Sequence, residues 1–201
     1  MKSSSRPGRR APLAPGRVRI IGGQYRRTPI AVVAAAGLRP TPDRVRETVF
    51  NWLEHLLGDL TGSSALDLFA GTGALGLEMA SRGARRVVLV ERDGASATAL
   101  RALVARLGAS AVTVENADWR AASTALAPAS FDVIFLDPPF DSGILPLALA
   151  ASRPLLAPGG ILYAESHAAL TPASLAGADL EIVRAGKAGV VYFHLLWARA
   201  C

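Results

Sequence analysis

Hydrophobic runs of six to eight residues recur along the chain from residue 64 onward, separated by longer segments in which apolar residues follow helical spacing. The runs span residues 64–70, 85–91, 111–118, 131–137 and 161–166, and the patterns between them predict helices. Strands that alternate with helices indicate a mainly parallel sheet with right-handed crossovers. Two later stretches, ADLEIVRAG and VVYFHLLWA, flank a Gly-containing turn and predict a C-terminal hairpin with an antiparallel strand. The fold class is therefore α/β.

Residues 17–60 carry a different pattern ahead of this core. The stretch RVRIIGGQYRRTPIAVV has apolar segments around a Gly-Gly pair and predicts a small β-hairpin. The segment after it predicts a helix with Thr41 as N-cap and Pro42 as first helical residue. The apolar stripe of this helix is expected in the core and consists of Val45, Val49, Trp52, Leu53 and Leu56.

Length and composition fit one α/β domain with a sizeable core, since the chain has 201 residues and is 51% hydrophobic. We interpret residues 1–16 as a disordered basic tail, 17–60 as an extension and 61–201 as the main domain. No run of eighteen apolar residues predicts a membrane helix, and the basic N-terminus lacks the apolar segment of a secretory signal. With Cys201 as the single cysteine, we expect a cytoplasmic monomer with neither an internal disulfide nor a metal site.

Charge is distributed unevenly along the chain, although the overall net charge is only +6. Residues 1–46 carry eleven Lys and Arg against one acid, a net of +10, whereas residues 47–201 have a net of −4. A basic segment attached to a mildly acidic body is typical of a protein that binds a polyanion such as nucleic acid. The candidate contacts are Arg19, Arg26, Arg27, Arg39, Arg44 and Arg46, the last three of which are expected to project away from the apolar stripe.

A glycine-rich loop follows the first predicted strand and opens a helix. Its sequence, Gly71-Thr72-Gly73-Ala74-Leu75-Gly76, permits the tight turn and the close ligand approach that dinucleotide and nucleoside sites require. Acids fall near the carboxyl ends of the first four strands, at Asp67, Glu91, Asp118 and Asp137. A pyrophosphate would gain nothing from these acids, whereas a cationic ligand with ribose hydroxyls and an adenine amine would. The pattern therefore favours S-adenosylmethionine over NAD.

The fourth strand ends in Asp137-Pro138-Pro139-Phe140. Proline lacks an N–H donor and fixes φ, so this segment offers hydrogen-bond acceptors on a stiff backbone, followed by an aromatic ring. Such a site suits an amino group attached to a flat base. A strand followed by a proline-rich turn would have the same local sequence, so its position on a cofactor-binding sheet decides the interpretation.

Four stretches of the chain resemble class I S-adenosylmethionine-dependent methyltransferases that act on exocyclic amines. They are LDLFAGTGALGLE, LVERD, ENAD and FLDPPF. Three further stretches resemble one narrower group, the RsmD family, which methylates guanine N2 in bacterial 16S ribosomal RNA. They are RIIGGQYRR, LRPTPDRVRETVFNWL and GKAGVVYFHLLWA. This resemblance covers about residues 17–198. It implies a Rossmann-like fold with a seven-stranded, mostly parallel sheet, a C-terminal antiparallel hairpin strand and a small N-terminal hairpin and helix extension.

The resemblance also implies a role for each site residue. Gly71, Thr72 and Gly73 are expected to contact the methionine part of the cofactor, with Asp67 behind them. Glu91 is expected to bind the ribose, Arg92 to flank the adenine, Asp118 to accept from the adenine amine and Trp119 to line that pocket. Asp137 and the Pro138 carbonyl are expected to hold the guanine amine while Phe140 stacks on the base. The implied partner is 16S ribosomal RNA, free or within an assembled small subunit.

Two alternatives follow from the same residues. The DPPF tetrapeptide equally suits an enzyme that methylates another base, such as adenine N6 in DNA. A protein of another class, an NAD-binding oxidoreductase or a non-catalytic RNA-binding protein with the same fold, would share the glycine-rich loop.

Overall fold

The computed structural model describes residues 18–31, 41–139 and 142–199. Its centre is a seven-stranded sheet in the order β5-β4-β3-β6-β7-β9-β8. The strands are β3 (Ser64–Asp67), β4 (Arg86–Val90), β5 (Val112–Glu115), β6 (Phe131–Leu136), β7 (Leu156–Ser166), β8 (Leu180–Ala188) and β9 (Val191–Ala198). The first five are parallel, and β9 runs antiparallel to both β7 and β8. This confirms the predicted α/β class and the antiparallel hairpin strand.

The helices are α1 (Asp43–Leu57), α2 (Ala74–Ser81), α3 (Gly94–Leu107), α4 (Trp119–Ala125), α5 (Leu145–Ser152) and α6 (Pro172–Leu175). Local signals fix several of their ends. Asp93 caps α3 by accepting the Ser96 N–H at 2.8 Å, and Gly108 ends that helix in the left-handed region. Asp118 caps α4 through the Arg120 N–H, so it lies past β5 at the start of a helix and does not end the strand.

Two apolar clusters pack against opposite faces of the sheet. One lies under α1, α2 and α3, and the other lies under α4, α5 and α6. Strands β3, β4 and β6 are buried along nearly their whole length, as expected for central strands covered on both faces. No helix among the described residues is long and apolar enough to cross a membrane.

The N-terminal segment joins the first of these clusters. Strands β1 (Val18–Arg19) and β2 (Pro29–Ile30) form the predicted antiparallel hairpin, and Ile20 and Ile30 are buried in the same cluster as the core face of α1. The expectation for the start of α1 was wrong. Pro42 occupies the N-cap position, and the Thr41 hydroxyl bonds to Glu165 in the interior instead of to the helix.

Candidate functional site

The carboxyl ends of the parallel strands border a cavity of about 420 Å³. Chain connections diverge here, because β4 lies on one side of β3 and β6 on the other. Crevices at such a point are the usual ligand sites of open α/β sheets. Nine of the sequence-predicted residues line the cavity: Asp67, Gly71, Thr72, Glu91, Arg92, Asp118, Trp119, Asp137 and Pro138. Residues that were predicted from different strands therefore meet at one site.

The glycine-rich loop is held in place by backbone and side-chain contacts. The Gly71 N–H donates to Glu91 Oε2 at 2.8 Å, which ties the loop to the end of β4. Gly73 has φ 78° and precedes α2, and a Cβ at this position would collide with the Leu100 side chain. Gly73 does not line the cavity, and the side chain that it faces most closely is Leu100 on α3. Glycine is required there by conformation and by packing.

Asp67 ends β3 as a buried carboxyl group on the cavity wall. Its Oδ2 accepts the Gly76 N–H at 3.2 Å, whereas its Oδ1 has no hydrogen-bond partner among the described residues. Burial raises the pKa of Asp67 to about 7, with the charge of Glu91 adding to the effect. A buried acceptor without a partner is costly, so the site favours a ligand that brings a donor or a positive charge.

The far side of the cavity is formed by the ends of β4 and β5. Glu91 accepts the Gly71 and Asp93 N–H groups at 2.8 and 2.7 Å, which fixes its carboxylate at the rim. Trp119 is buried, and its ring lies 5.9 Å from that of Phe69. Arg92 is exposed, and it is the only Lys or Arg among the described lining residues. Acceptor groups and apolar surface therefore dominate the lining.

On the β6 side, Asp137 is half-buried, Pro138 is buried and Pro139 is exposed. Burial, reinforced by the charges of Glu165 and Asp67, raises the pKa of Asp137 well above its usual range. The Thr41 hydroxyl lies 3.5 Å from Asp137 Oδ2. Phe140 falls outside the described residues, so its stacking role stays a prediction.

Sequence reasoning missed Glu165, the buried acid near the end of β7. It accepts hydrogen bonds from Thr41 Oγ1 at 2.6 Å and from the Tyr163 hydroxyl at 2.5 Å. Burial raises the pKa of Glu165, while these two hydrogen bonds oppose the rise. The rule that singled out acids at the ends of four strands would have found Glu165 if it had been extended to the fifth.

The candidate nucleic-acid arginines separate into different environments. Arg44 is exposed at the start of α1, and Arg19 is exposed beside it, paired with Asp43 at 2.9 Å. Arg26 and Arg27 are exposed on the hairpin turn, whose backbone contacts Ser81 at the end of α2 farthest from the glycine-rich loop. Arg39 falls outside the described residues.

Arg46 corrects the expectation for this group. Its side chain is fully buried and binds Asp43 Oδ1 at 2.7 Å and the Arg19 carbonyl at 2.8 Å, with Glu78 Oε2 at 3.8 Å. The carboxylates of the partly exposed Asp43 and the buried Glu78 compensate its charge. Arg46 therefore joins the hairpin, α1 and α2 inside the protein and offers no surface to a partner.

Comparisons with known proteins agree with this architecture. The family described as Conserved hypothetical protein 95 matches residues 18–197. The Escherichia coli protein named Ribosomal RNA small subunit methyltransferase D is 42% identical over 156 residues, 76% of each chain. Its namesake from Haemophilus influenzae is 37% identical over 161 residues, 78% of this chain and 82% of that one. The chain belongs to the RsmD family of methyltransferases.

Solved structures show that the similarity to RsmD-family proteins also holds in three dimensions. The Escherichia coli protein yhhF superposes with a TM-score of 0.78 at 34% identity, over 92% of this chain and 100% of that one. The ribosomal protein L11 methylase of Lactobacillus delbrueckii, at 17% identity, covers 82% of this chain and 83% of its own with a TM-score of 0.64, which shows a shared fold alone. The resemblance to the RsmD family and the Rossmann-like class I fold are confirmed.

Proposed function

We propose that the chain transfers a methyl group from S-adenosylmethionine to the exocyclic N2 amine of a guanine in 16S ribosomal RNA. The observation that carries this proposal is that Asp137 and Pro138 line the same cavity as Gly71 and Glu91. Acceptors for an amine therefore adjoin a nucleoside-binding loop. The relatives named Ribosomal RNA small subunit methyltransferase D support RNA as the substrate.

The cavity residues fit the cofactor in charge and in hydrogen bonding. The unpartnered Asp67 Oδ1 suits the ammonium of the methionine part, and the fixed Glu91 carboxylate suits ribose hydroxyls. Asp118 and Trp119 would hold the adenine, flanked by Arg92. When bound, S-adenosylmethionine supplies a methyl group activated by a positively charged sulfur. The same acids would repel the pyrophosphate of NAD, which argues against an oxidoreductase.

Asp137 and the Pro138 carbonyl would hold the two hydrogens of the target amine. The lone pair of an exocyclic amine is delocalised into the base, so the nitrogen is a poor nucleophile. Two acceptors favour a pyramidal nitrogen with its lone pair directed toward the methyl group. Such positioning can contribute roughly 7–11 kcal/mol to catalysis.

The substrate base must leave its stack before it reaches this site, which costs a few kcal/mol and less in a loop than in a duplex. In the proposal, stacking on Phe140 returns about 1–3 kcal/mol. Arg44 and Arg19, near the cavity, and Arg26 and Arg27, farther away, would contact phosphates. We expect the enzyme to act as a cytoplasmic monomer on ribosomal RNA that is free or already assembled into a small subunit.

The proposal is tested by incubating the purified protein with tritium-labelled S-adenosylmethionine and small subunits from cells that lack the gene, followed by nucleoside mass spectrometry. Label in N2-methylguanosine is the expected result. Label in N6-methyladenine of duplex DNA, with none in the subunits, would replace the guanine assignment by the adenine alternative.

Asp137→Ala is expected to lower methyl transfer by about 100-fold or more while S-adenosylhomocysteine binding stays within a few-fold of the parent. Glu181→Ala, an exposed acid on β8, is the matched control and should transfer at the parental rate. Equal loss of binding and turnover in Asp137→Ala would assign this residue to the cofactor or to folding.

A further inference from the structure

Three carboxyl groups lie on adjacent strands near the carboxyl edge of the sheet. Asp67 ends β3, Asp137 follows β6 and Glu165 is the next-to-last residue of β7, and these three strands are adjacent. Leu136 pairs in register with Ala164, so the residues that follow them, Asp137 and Glu165, are level across the sheet. Asp67 pairs with Phe135 and so lies two residues farther from the edge than Asp137. By strand alternation, all three side chains point to the face covered by α1 and α2.

One hydroxyl group lies between two of these acids. Thr41 Oγ1 is 2.6 Å from Glu165 Oε1 and 3.5 Å from Asp137 Oδ2. A hydroxyl has a single proton, so it can donate to only one carboxylate at a time while it accepts from the other. The shorter contact favours donation from Thr41 to Glu165, which leaves the hydroxyl lone pairs free to accept from a protonated Asp137.

The surroundings favour a negative charge on Glu165 over one on Asp137. Glu165 receives hydrogen bonds from both Thr41 and Tyr163, whereas the contact between Thr41 and Asp137 is longer. The other charged or titratable groups described on this face are Asp67, which opposes ionisation of Asp137, Arg46 with its partners Asp43 and Glu78, and His167 on the cavity wall. The Arg46 Nε donates to the Thr41 carbonyl at 3.3 Å and so fixes the backbone from which the hydroxyl extends.

We propose that Glu165 is a positioning residue that acts through the Thr41 hydroxyl to control the proton on Asp137, the acceptor for the substrate amine. This inference rests on the proposed function. Formation of the N–C bond, as the methyl group leaves sulfur, leaves the amine nitrogen positively charged. Asp137 takes one proton from that nitrogen, and the new Asp137 O–H donates to Thr41, whose own hydrogen stays on the hydroxyl and continues to donate to Glu165.

The first test is made on the ligand-free protein and needs no activity. The Asp137 carboxyl carbon is titrated by NMR in the parent and in Glu165→Gln, which keeps the side-chain shape but removes the charge. Because the Glu165 charge raises the pKa of Asp137, the titration should move to lower pH in the variant. Glu181→Gln, an exposed neutral substitution on β8, should leave it unchanged.

The second test is kinetic. Glu165→Gln makes Asp137 a weaker base, so kcat at pH values above the acidic limb, where Asp137 is ionised in both proteins, should fall by up to about 100-fold with KM little changed. The acidic limb of its pH–rate profile should move to lower pH. Thr41→Val should lower kcat similarly, and Thr41→Ser, which restores the hydroxyl, should recover it. Thr48→Val, which removes an α1 hydroxyl bonded to the Arg44 carbonyl, is the control.

A double-mutant cycle decides whether the two residues act together. If Glu165 acts through Thr41, the double variant should lose little more kcat than the worse single variant. Additive losses, or an Asp137 titration that Glu165→Gln leaves unmoved, would overturn the inference. Those outcomes would not contradict the proposed function, because the proposed function is wrong only if the parent protein does not methylate guanine N2.

Discussion

Asp67 shows at the level of one residue how a ligand site can lower stability. Its pKa in the folded protein is about 7, against an ordinary value of 3.8, because the carboxyl group is buried. Between these two values the folded state binds more protons than the unfolded state. The contribution of Asp67 to stability is therefore present at acidic pH and is lost as pH rises toward 7. Burial acts on Asp137 and Glu165 in the same direction.

We predict that Asp67→Asn stabilises the ligand-free protein at pH 8, because it removes a buried charge while the amide oxygen can still accept from Gly76. One unit of pKa shift corresponds to about 1.4 kcal/mol, so a gain of roughly 1–3 kcal/mol is expected. Urea unfolding at pH 5 and pH 8 measures it: the parent should lose more stability between the two pH values than the variant does. An equal loss in both proteins would mean that Asp67 is solvated.

The same residue should also govern cofactor affinity. Protonation of Asp67 below about pH 7 removes the charge that attracts a cationic amine. S-adenosylmethionine should therefore bind more weakly as pH falls from 8 to 6, and Asp67→Asn should bind weakly at both values. Calorimetry measures the affinities. A change of affinity with pH that is the same in the parent and in Asp67→Asn would contradict the assignment.

At the level of elements, the N-terminal hairpin is attached to α2 by polar contacts. The N–H groups of Ile21 and Gly22 donate to the Glu78 carboxylate at 2.7 and 2.8 Å, and the Tyr25 N–H donates to Ser81 Oγ. Glu78 is itself buried and also pairs with Arg82. Because α2 begins at the glycine-rich loop, that loop and the hairpin are connected to the same helix.

We predict that Gly23→Ala detaches the hairpin. Gly23 has φ 70°, and a Cβ there would collide with the Ser81 carbonyl oxygen. Gly62→Ala is the matched control, since Gly62 has φ 78° with open space around it and should cost only about 1–2 kcal/mol of backbone strain. Gly23→Ala should destabilise the protein by more than that in urea unfolding. If both variants lost the same free energy of unfolding, the backbone around Gly23 and Ser81 could shift to accommodate the Cβ without destabilising the protein.

The elements also show what sequence can predict. Apolar runs separated by helical segments were enough to predict the strands, because a strand buried on both faces of a parallel sheet needs apolar residues along its length. The ends of these runs then located Asp67, Glu91 and Asp137. Side chains that bond across the fold gave no local signal. The Thr41 and Glu165 contact joins residues 124 positions apart, and it overrode a capping preference read from neighbouring residues. Arg46 looked like a surface cation because its buried partner Glu78 lies on another helix.

At the level of the whole molecule, the proposed RNA contacts and the proposed catalytic cavity lie on different parts of the protein and differ in charge. The predicted site acids line the cavity, and the proposed RNA-contacting arginines Arg19, Arg26, Arg27 and Arg44 are exposed on the N-terminal segment and absent from the cavity lining. Non-specific affinity for RNA should therefore depend on arginines that do not touch the cofactor. Since each phosphate contact releases counterions, the salt dependence of binding counts those contacts.

We predict that replacing Arg26, Arg27 and Arg44 together by Gln weakens RNA binding and lowers the slope of log affinity against log salt by about 0.7–0.9 for each lost contact. Arg199→Gln is the control, because Arg199 is exposed just past the end of antiparallel β9, at the sheet edge opposite the cavity. S-adenosylhomocysteine affinity should stay at the parental value in both variants. Fluorescence anisotropy with a fragment of small-subunit RNA over a salt series measures the slopes. If the triple variant kept the parental slope while Arg199→Gln reduced it, the RNA would lie across the opposite edge, and no contact there could bring a base to Asp137.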